Sequence, residues 1–197
     1  MAILEVLKFP DPRLREVSQP VEKFDNKLKQ VVSDMFETMY AENGIGLAAP
    51  QVGILQRLLV IDTRPRDRKG RYEEEGNEMG PLESKIEQPL VIINPKILKG
   101  DGKTVFSEGC LSVPTFFEDV ERFETIELEY QDVEGKKHVI TVDGLLAICV
   151  QHEIDHLEGT LFIDHLSLIK NNRIKNQIKK HGYPEKETEN EKEDVKA

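Results

Sequence analysis

Apolar residues dominate two long stretches of this chain, each with its own pattern. Over residues 26–40 they recur every three or four positions. This spacing predicts an amphipathic helix that begins at Asp25 or Asn26 and buries one face, methionines included. Over residues 145–157 they form a nearly continuous run without Gly or Pro. A run of that length favours a buried helix over a strand.

Shorter apolar segments predict strands at residues 57–62, 90–93, 125–130 and 138–142. A turn at residues 132–135 joins the last two strands into a predicted hairpin. The sequence therefore predicts an α+β fold, with antiparallel strands packed around a central helix and with a further helix near the C-terminus.

The remaining segments define the predicted domain organisation. A catalytic domain is expected over residues 1–165, and it begins with an extended arm over residues 1–24. Residues 64–88 are rich in charges of both signs and predict a solvated insertion loop. Residues 166–181 carry basic side chains without a single acid and predict a C-terminal helix, and residues 182–197 predict an acidic, disordered tail.

Composition and charge limit which classes of function are possible for this chain. The 197 residues fit a single domain, and the net charge of −10 excludes the chain as a whole from bulk DNA binding. The sequence predicts no signal peptide and no membrane association, so we expect a cytoplasmic protein. In that compartment Cys110 and Cys149 stay reduced, and a cysteine there is more often a ligand or a reactive group than half of a disulfide.

The central helix contains the pattern His152-Glu153-x-x-His156. Two histidines four residues apart lie on one helical face, where neutral imidazoles can converge on a divalent metal. The carboxylate of Glu153 can then act as a general base without being a ligand. A histidine pair alone is more often a surface or core feature, but the adjacent glutamate in an apolar helix favours a metal site.

A catalytic metal needs a third protein ligand and an open position. Cys110 is the best candidate, because it lies in a loop between Gly109 and Pro114 and a thiolate completes a set with two imidazoles. Cys149 instead fits a buried position that lines a pocket near the site. Three downstream residues also have ligand chemistry but lie in no recognisable motif: Glu158, Asp164 and His165.

Three stretches together resemble the peptide deformylase family. They are residues 44–51 (GIGLAAPQ), residues 108–112 (EGCLS) and residues 151–157 (QHEIDHL), and the likeness extends over about residues 3–170. The first stretch alone is also compatible with a turn-rich connector.

The resemblance implies the role of each matching residue. The metal ligands would be Cys110, His152 and His156, and Glu153 would be the acid/base. The Gln51 side-chain amide and the Leu111 backbone N–H would stabilise the oxyanion. The implied reaction removes the formyl group from formyl-methionyl peptides and releases formate. The implied metal is Fe²⁺, for which Zn²⁺, Ni²⁺ or Co²⁺ can substitute.

The family binds its substrate as an extended strand, which implies pairing with backbone groups near Ile45, Gly46 and Gly109. The expected pocket for the methionine side chain involves Ile45, Ile148 and Cys149, together with the aliphatic edge near Leu111. Many relatives carry an arginine near the position of Phe117, so preferences beyond methionine are open here.

Two other functions fit part of the sequence. A zinc endopeptidase would use the same histidine–glutamate pattern, and a non-catalytic, ribosome-associated module would leave Glu153 and Gln51 without a role.

The basic helix at 166–181 is open to two interpretations. It either docks on the ribosome or packs on the body through Leu166, Ile169, Ile174 and Ile178.

Overall fold

The computed structural model describes residues 2–66 and 79–183 of the chain. Within these ranges the fold contains three α-helices and seven strands. The helices are α1 (Asn26–Ala41), α2 (Gly144–Leu157) and α3 (Leu168–His181). The strands are β1 (Gly46–Ala48), β2 (Leu58–Ile61), β3 (Leu90–Asp101), β4 (Thr104–Cys110), β5 (Val113–Arg122), β6 (Thr125–Gln131) and β7 (Lys137–Val142).

All described strand pairs are antiparallel. Five strands form one sheet in the order β1-β2-β3-β6-β7, and among the described strands β4 pairs only with β5. Helix α2 packs on this sheet, and its apolar residues share one core cluster with residues of β2, β3 and β6. The predicted α+β architecture around a central helix is thus confirmed.

The two long predicted helices are confirmed at nearly the expected positions. The Asp25 side chain caps α1, because it accepts hydrogen bonds from the backbone amides of Lys27 and Leu28. Met35 and Met39 are fully buried, as their spacing predicted. Helix α2 is buried around most of its circumference, and this explains why its sequence is apolar on every side.

Strand β3 is longer than predicted, because Asn94 does not end it. Asn94 has a φ of +51° and lies at a shift of register between β3 and β6. Its side chain accepts a hydrogen bond from the Val21 amide and donates one to the Val21 carbonyl. These bonds attach the irregular part of β3 to the N-terminal arm, and the strand continues to Asp101 instead of ending at Pro95.

The two motif segments predicted as loops contain strands. The segment that carries Cys110 is a hairpin in which Cys110 pairs with Val113 across a tight turn. Residues 43–53 contain the short strand β1 followed by a 3₁₀ helix, Ala49–Val52. Both segments are rich in small residues, which weakens the alternating pattern that predicts strands.

The predicted insertion loop is only partly described, since residues 67–78 lie outside the described ranges. The part that follows is packed instead of solvated, because Glu83 and Gln88 are buried. One Glu83 oxygen accepts the Leu145 amide at 3.1 Å, and the other accepts the hydroxyl of Thr63. Glu83 therefore caps helix α2 from a distant part of the chain.

The C-terminal helix begins two residues later than predicted and packs through Ile174 and Ile178, which are buried. Ile169, which the packing interpretation placed against the body, is instead 83% exposed. Residues 184–197, the larger part of the predicted tail, lie outside the described ranges. None of the described helices combines the length and the apolar character that crossing a membrane requires.

The N-terminal arm runs along the three motif segments and contains one 3₁₀ helix, Pro12–Arg15. The Leu7 amide donates to the Gln51 carbonyl, and the Phe9 amide donates to the Ser112 carbonyl at 2.8 Å. Further along the arm, the Ser18 amide donates to the carbonyl of Leu157 at the end of α2. The arm therefore contacts all three motif segments.

Candidate active site

Helix α2 presents His152 and His156 on one face in the interior. Their ring centroids are 5.1 Å apart, with an angle of 71° between the ring planes. His152 is 8% exposed and His156 is 1% exposed. Polar side chains buried to this extent need partners.

Cys110 lies at the end of β4 and faces the same two histidines. Its Sγ is 3.2 Å from Nε2 of His156. The three candidate ligand atoms of Cys110, His152 and His156 all lie within 4.8 Å of one another. A thiol and two imidazoles at these distances can share one metal ion.

The chemistry of this cluster fits a divalent metal. A thiolate with two imidazoles suits Zn²⁺, Fe²⁺ and similar ions and leaves a coordination position open. Burial lowers the pKa of His156, which favours the neutral, ligating imidazole. Burial also opposes protonation of His152, but hydrogen bonds with Cys110 and Glu108 outweigh it and raise that pKa. The groups around His152 thus favour a positive charge at the site, and a bound divalent metal would supply such a charge.

Glu108 orients His152. One Glu108 oxygen is 2.9 Å from Nδ1 of His152, so the Nε2 atom is left for the cluster. The Arg122 guanidinium donates to both oxygens of Glu108, at 2.7 and 2.9 Å. Burial opposes ionisation, yet the hydrogen bonds from Arg122 and His152 lower the pKa of Glu108 to about 2. Glu108 is therefore an ionised acceptor that fixes the histidine.

The sequence interpretation did not identify Glu108 and Arg122 as functional residues. A signal for Glu108 is present, since it directly precedes Gly109 in the EGCLS motif, but no sequence pattern marks Arg122. Their pairing depends on the β4–β5 hairpin, which the sequence did not predict.

The three downstream residues with ligand chemistry all have partners outside the Cys110–His152–His156 cluster. His165 contacts Asp155 at 2.7 Å, and Asp155 in turn accepts from Arg122 at 2.6 Å. Asp164 accepts from the Arg15 guanidinium. Glu158 accepts from Arg57 at 2.6 Å.

Glu153 is buried beside the cluster, and its Oε2 atom has no hydrogen-bond partner among the described residues. Burial raises the pKa of Glu153 to about 7, with the charge of Glu108 adding to this and that of His152 opposing it. A Cβ atom on residue 46 would lie 2.4 Å from Oε1 of Glu153 and 2.7 Å from Sγ of Cys149. Gly46 therefore leaves the space that the carboxylate occupies.

Gln51 is 1% exposed and is held by three contacts. Its Oε1 accepts the Ala48 amide at 2.8 Å, which fixes the orientation of the side-chain amide. Its Nε2 then points to the Ser112 hydroxyl at 3.3 Å and to the Cys110 sulfur at 3.6 Å. The amide group thus lies beside the cluster as a rigid donor.

The predicted substrate-binding residues fall into two groups. Ile45 and Gly46 lie at β1, an edge strand of the five-stranded sheet, and Ile45 is 37% exposed. Cys149 approaches them, with its Sγ 3.9 Å from the Ile45 carbonyl oxygen, and Ile148 precedes it in α2 with 8% exposure.

Gly109, in the second group, directly precedes Cys110 in β4 and contacts an exposed aromatic ring. A Cβ atom there would lie 2.4 Å from the ring of Phe117, a side chain that is 69% exposed. Leu111 follows Cys110 in the turn and is partly buried.

Comparisons with known proteins agree with this arrangement. The polypeptide deformylase family model matches residues 3–172. A peptide deformylase from Novosphingobium aromaticivorans is 50% identical over 91% of this chain and 97% of its own length. The crystal structure of a peptide deformylase from Legionella pneumophila has a TM-score of 0.76 at 42% identity, over 91% of this chain and 95% of that one. A peptide deformylase from Ehrlichia chaffeensis in complex with actinonin has a TM-score of 0.77 at 41% identity, over 92% of this chain and 99% of that one.

Proposed function

This chain belongs to the polypeptide deformylase family, and from that premise we propose how its residues carry out the reaction. It is a metal-dependent hydrolase that removes the formyl group from the N-terminus of formyl-methionyl nascent polypeptides and releases formate. The proposal for its site depends above all on one observation. Cys110, His152 and His156 bring their ligand atoms within 4.8 Å of one another, and the carboxylate of Glu153 lies buried beside them.

Cys110, His152 and His156 hold the metal in this proposal, and Fe²⁺ is the proposed ion, with Zn²⁺, Ni²⁺ or Co²⁺ as substitutes. When bound, the metal supplies Lewis acidity, which polarises the formyl carbonyl and makes water a better nucleophile at neutral pH. Glu108 keeps His152 in the ligating tautomer through the 2.9 Å contact with its Nδ1 atom.

Glu153 is the proposed acid/base. Its Oε2 atom, which has no partner in the described part of the chain, accepts a proton from the attacking water and later delivers it to the leaving amine. Glu153 is only 4% exposed, so the fold keeps bulk water away from this carboxylate. One group therefore serves both proton transfers, and neither transfer needs a second titratable side chain.

Gln51 and the Leu111 backbone N–H are the proposed donors to the oxyanion. The Gln51 amide is oriented before any charge develops, because the Ala48 amide holds its oxygen at 2.8 Å. A donor fixed in this way stabilises the transition state without reorganisation. The Leu111 amide belongs to the turn that also carries Cys110. An oxyanion that accepts a hydrogen bond from this amide would therefore lie next to a proposed metal ligand.

The substrate is proposed to add a strand at the free edge of β1, beside Ile45 and Gly46, with Gly109 on the opposite side. Backbone pairing of this kind accepts any sequence beyond the first residue. The methionine side chain would lie against Ile148 and Cys149, which are buried behind β1.

The first test is formate release from a formyl-Met-Ala-Ser peptide by protein purified without oxygen and with its metal content measured. We expect release in proportion to metal occupancy, and we expect the Cys110→Ala variant to lose both metal and activity. The Cys149→Ala variant is the matched control and should keep its metal. Full metal occupancy in the Cys110→Ala variant would contradict the ligand assignment, and cleavage of internal peptide bonds would favour the endopeptidase alternative.

We also propose that the enzyme works in the cytoplasm and that α3 brings it to ribosomal RNA. Lys170 and Arg173 already pair with Glu118 at 2.7 Å, so the docking charge would come from Lys179 and Lys180. A Lys179→Glu/Lys180→Glu variant should co-sediment less with ribosomes at low salt.

The same change at two exposed lysines of β3, Lys96 and Lys99, is the control for the docking test. Equal loss of co-sedimentation in both variants would show a general charge effect and would contradict docking through α3.

A further inference from the structure

Tyr183 links the C-terminal end of the described chain to the N-terminal arm. It follows the last residue of α3 by two positions, and its phenol donates a 2.8 Å hydrogen bond to the Phe9 carbonyl. Its ring lies edge-on to Phe116 of strand β5, with centroids 6.5 Å apart at an angle of 72°. One side chain thus contacts the arm and the hairpin that carries Cys110.

The hydrogen bonds continue from Phe9 into the site. The Phe9 amide donates to the Ser112 carbonyl at 2.8 Å, and the Ser112 amide donates to the Cys110 sulfur at 3.3 Å. The Ser112 hydroxyl accepts the Gln51 amide at 3.3 Å. The position of Ser112 therefore sets both a contact to the thiol and a contact to the proposed oxyanion donor.

Tyr183 can donate its hydrogen bond throughout the neutral range. Burial raises the pKa of its phenol to about 12, and the nearby Cys110 adds to the shift. The side chain belongs to the same cluster as Cys110, Phe116 and Phe9. The hydrogen bond is therefore partly shielded from water, which increases the cost of losing it.

We propose that Tyr183 is a positioning residue for the metal-binding turn, residues 110–112, and acts on it through Phe9. The inference rests on the proposed role of Cys110 as a ligand. Tyr183 lies beyond residue 172, where the match to the family model ends, so the position belongs to the C-terminal segment of this chain. By holding the arm against Ser112, it slows the motion that would separate the thiol from the metal.

The test compares metal retention in full-length Tyr183→Phe protein with that of the unchanged protein. Both are loaded with Co²⁺, and loss of the thiolate-to-cobalt absorption is followed after a chelator is added, well below the melting temperature. Direct partners of ligands change metal affinity by roughly 10–100-fold, so we expect about 3–10-fold faster loss through this indirect contact. We also expect kcat to fall while KM is unchanged, because the turn and Gln51 shift and the β1 edge does not.

Two further variants are measured for comparison, one that also removes the Tyr183 ring and one that removes a phenol elsewhere in the fold. Tyr183→Ala also removes the ring and should lose Co²⁺ at least as fast as Tyr183→Phe. Tyr130→Phe removes a buried phenol from β6 and should leave the rate of loss unchanged. Wild-type retention in both Tyr183 variants, or equal acceleration in Tyr130→Phe, would overturn the inference.

A Cys110→Ala sample separates the inference from the ligand assignment; because this variant lacks the thiolate, its bound Co²⁺ is measured by elemental analysis after the chelator is removed. If it loses Co²⁺ at once while the Tyr183 variants retain it normally, the ligand assignment stands and the positioning role fails. If Cys110→Ala keeps Co²⁺ as the unchanged protein does, the ligand assignment fails, and the inference fails with it.

Discussion

At the scale of single residues, Gly46 and Glu153 depend on each other. A Cβ atom at residue 46 would lie 2.4 Å from a Glu153 oxygen, so the Gly46→Ala variant must displace the carboxylate or the strand. Because a general acid/base contributes about 10²–10⁴-fold to a rate, we expect kcat to fall at least 10-fold with the metal still bound. Steady-state kinetics with metal analysis measures this, and an unchanged kcat would contradict the proposed position of the base.

The Glu153→Gln variant tests the acid/base role itself. The amide keeps the size of the side chain but cannot accept and return a proton, so we expect turnover to fall by about 10²–10⁴-fold with metal content unchanged. Glu158→Gln is the matched control, because Glu158 follows α2 directly and pairs with Arg57 at the surface. A control variant that loses as much activity would contradict a specific role for Glu153.

The Glu108→Gln variant tests the orientation of His152. We expect metal affinity to fall by roughly 10–100-fold, because the neutral amide fixes the imidazole less well. Glu118 lies opposite Glu108 on the same hairpin but pairs with surface lysine and arginine side chains, so Glu118→Gln is the control. Competition with a metal-binding dye measures both affinities, and equal values for the two variants would rule out the positioning role.

At the scale of elements, the sequence predicted the helices better than the strands. Helix α2 was recognisable because apolar residues without Gly or Pro have few other stable arrangements. Strand β3 was predicted to end before Asn94, but it continues past a shift of register, where the Asn94 side chain bonds to the Val21 backbone. Those contacts join residues that are 73 positions apart, and no local pattern reveals them.

The cap that Glu83 provides for helix α2 leads to a prediction about stability. Removing this carboxylate leaves the Leu145 amide without its side-chain acceptor, while the Thr63 hydroxyl keeps only its 3.0 Å contact with Oε1 of Gln88. We therefore expect Glu83→Ala to lower the free energy of unfolding by about 1–3 kcal/mol. Urea denaturation measures it, with exposed Glu87→Ala as the control. Equal stability of the two variants would show that the cap contributes nothing.

At the scale of the whole molecule, Asp164 and Arg15 join segments that are 149 residues apart. Burial opposes ionisation of Asp164, but hydrogen bonds from Arg15 and the Leu161 amide lower its pKa below the ordinary value of 3.8. An acid with a lowered folded-state pKa stabilises the protein above its unfolded pKa, and this stability is lost as the pH falls through the folded value.

We expect Asp164→Asn to reduce that acid-dependent loss. Unfolding free energies measured in urea between pH 6 and pH 3 should fall less steeply in the variant than in the unchanged protein. If the unfolding free energy falls equally steeply with pH in both proteins, the ion pair of Asp164 with the arm does not contribute to stability at low pH.

The site as a whole was only partly predictable. Cys110, His152 and His156 carry ligand chemistry that is visible in the sequence, and their short motifs suggested that they meet. Arg122 could not be assigned, because its contact with Glu108 follows from the register of β4 and β5. Sequence patterns identify reactive groups, whereas the side chains that orient them depend on which strands pair.

The contact between Phe9 and Tyr183 has a consequence for how each molecule is made. It joins residues 174 positions apart, and the proposed ligand His156 is also synthesised late. The arm therefore leaves the ribosome long before the segments that complete the active site exist. A copy of this enzyme that is still being translated thus lacks its complete proposed metal site. Formyl groups on emerging chains can be removed only by copies whose synthesis is already finished.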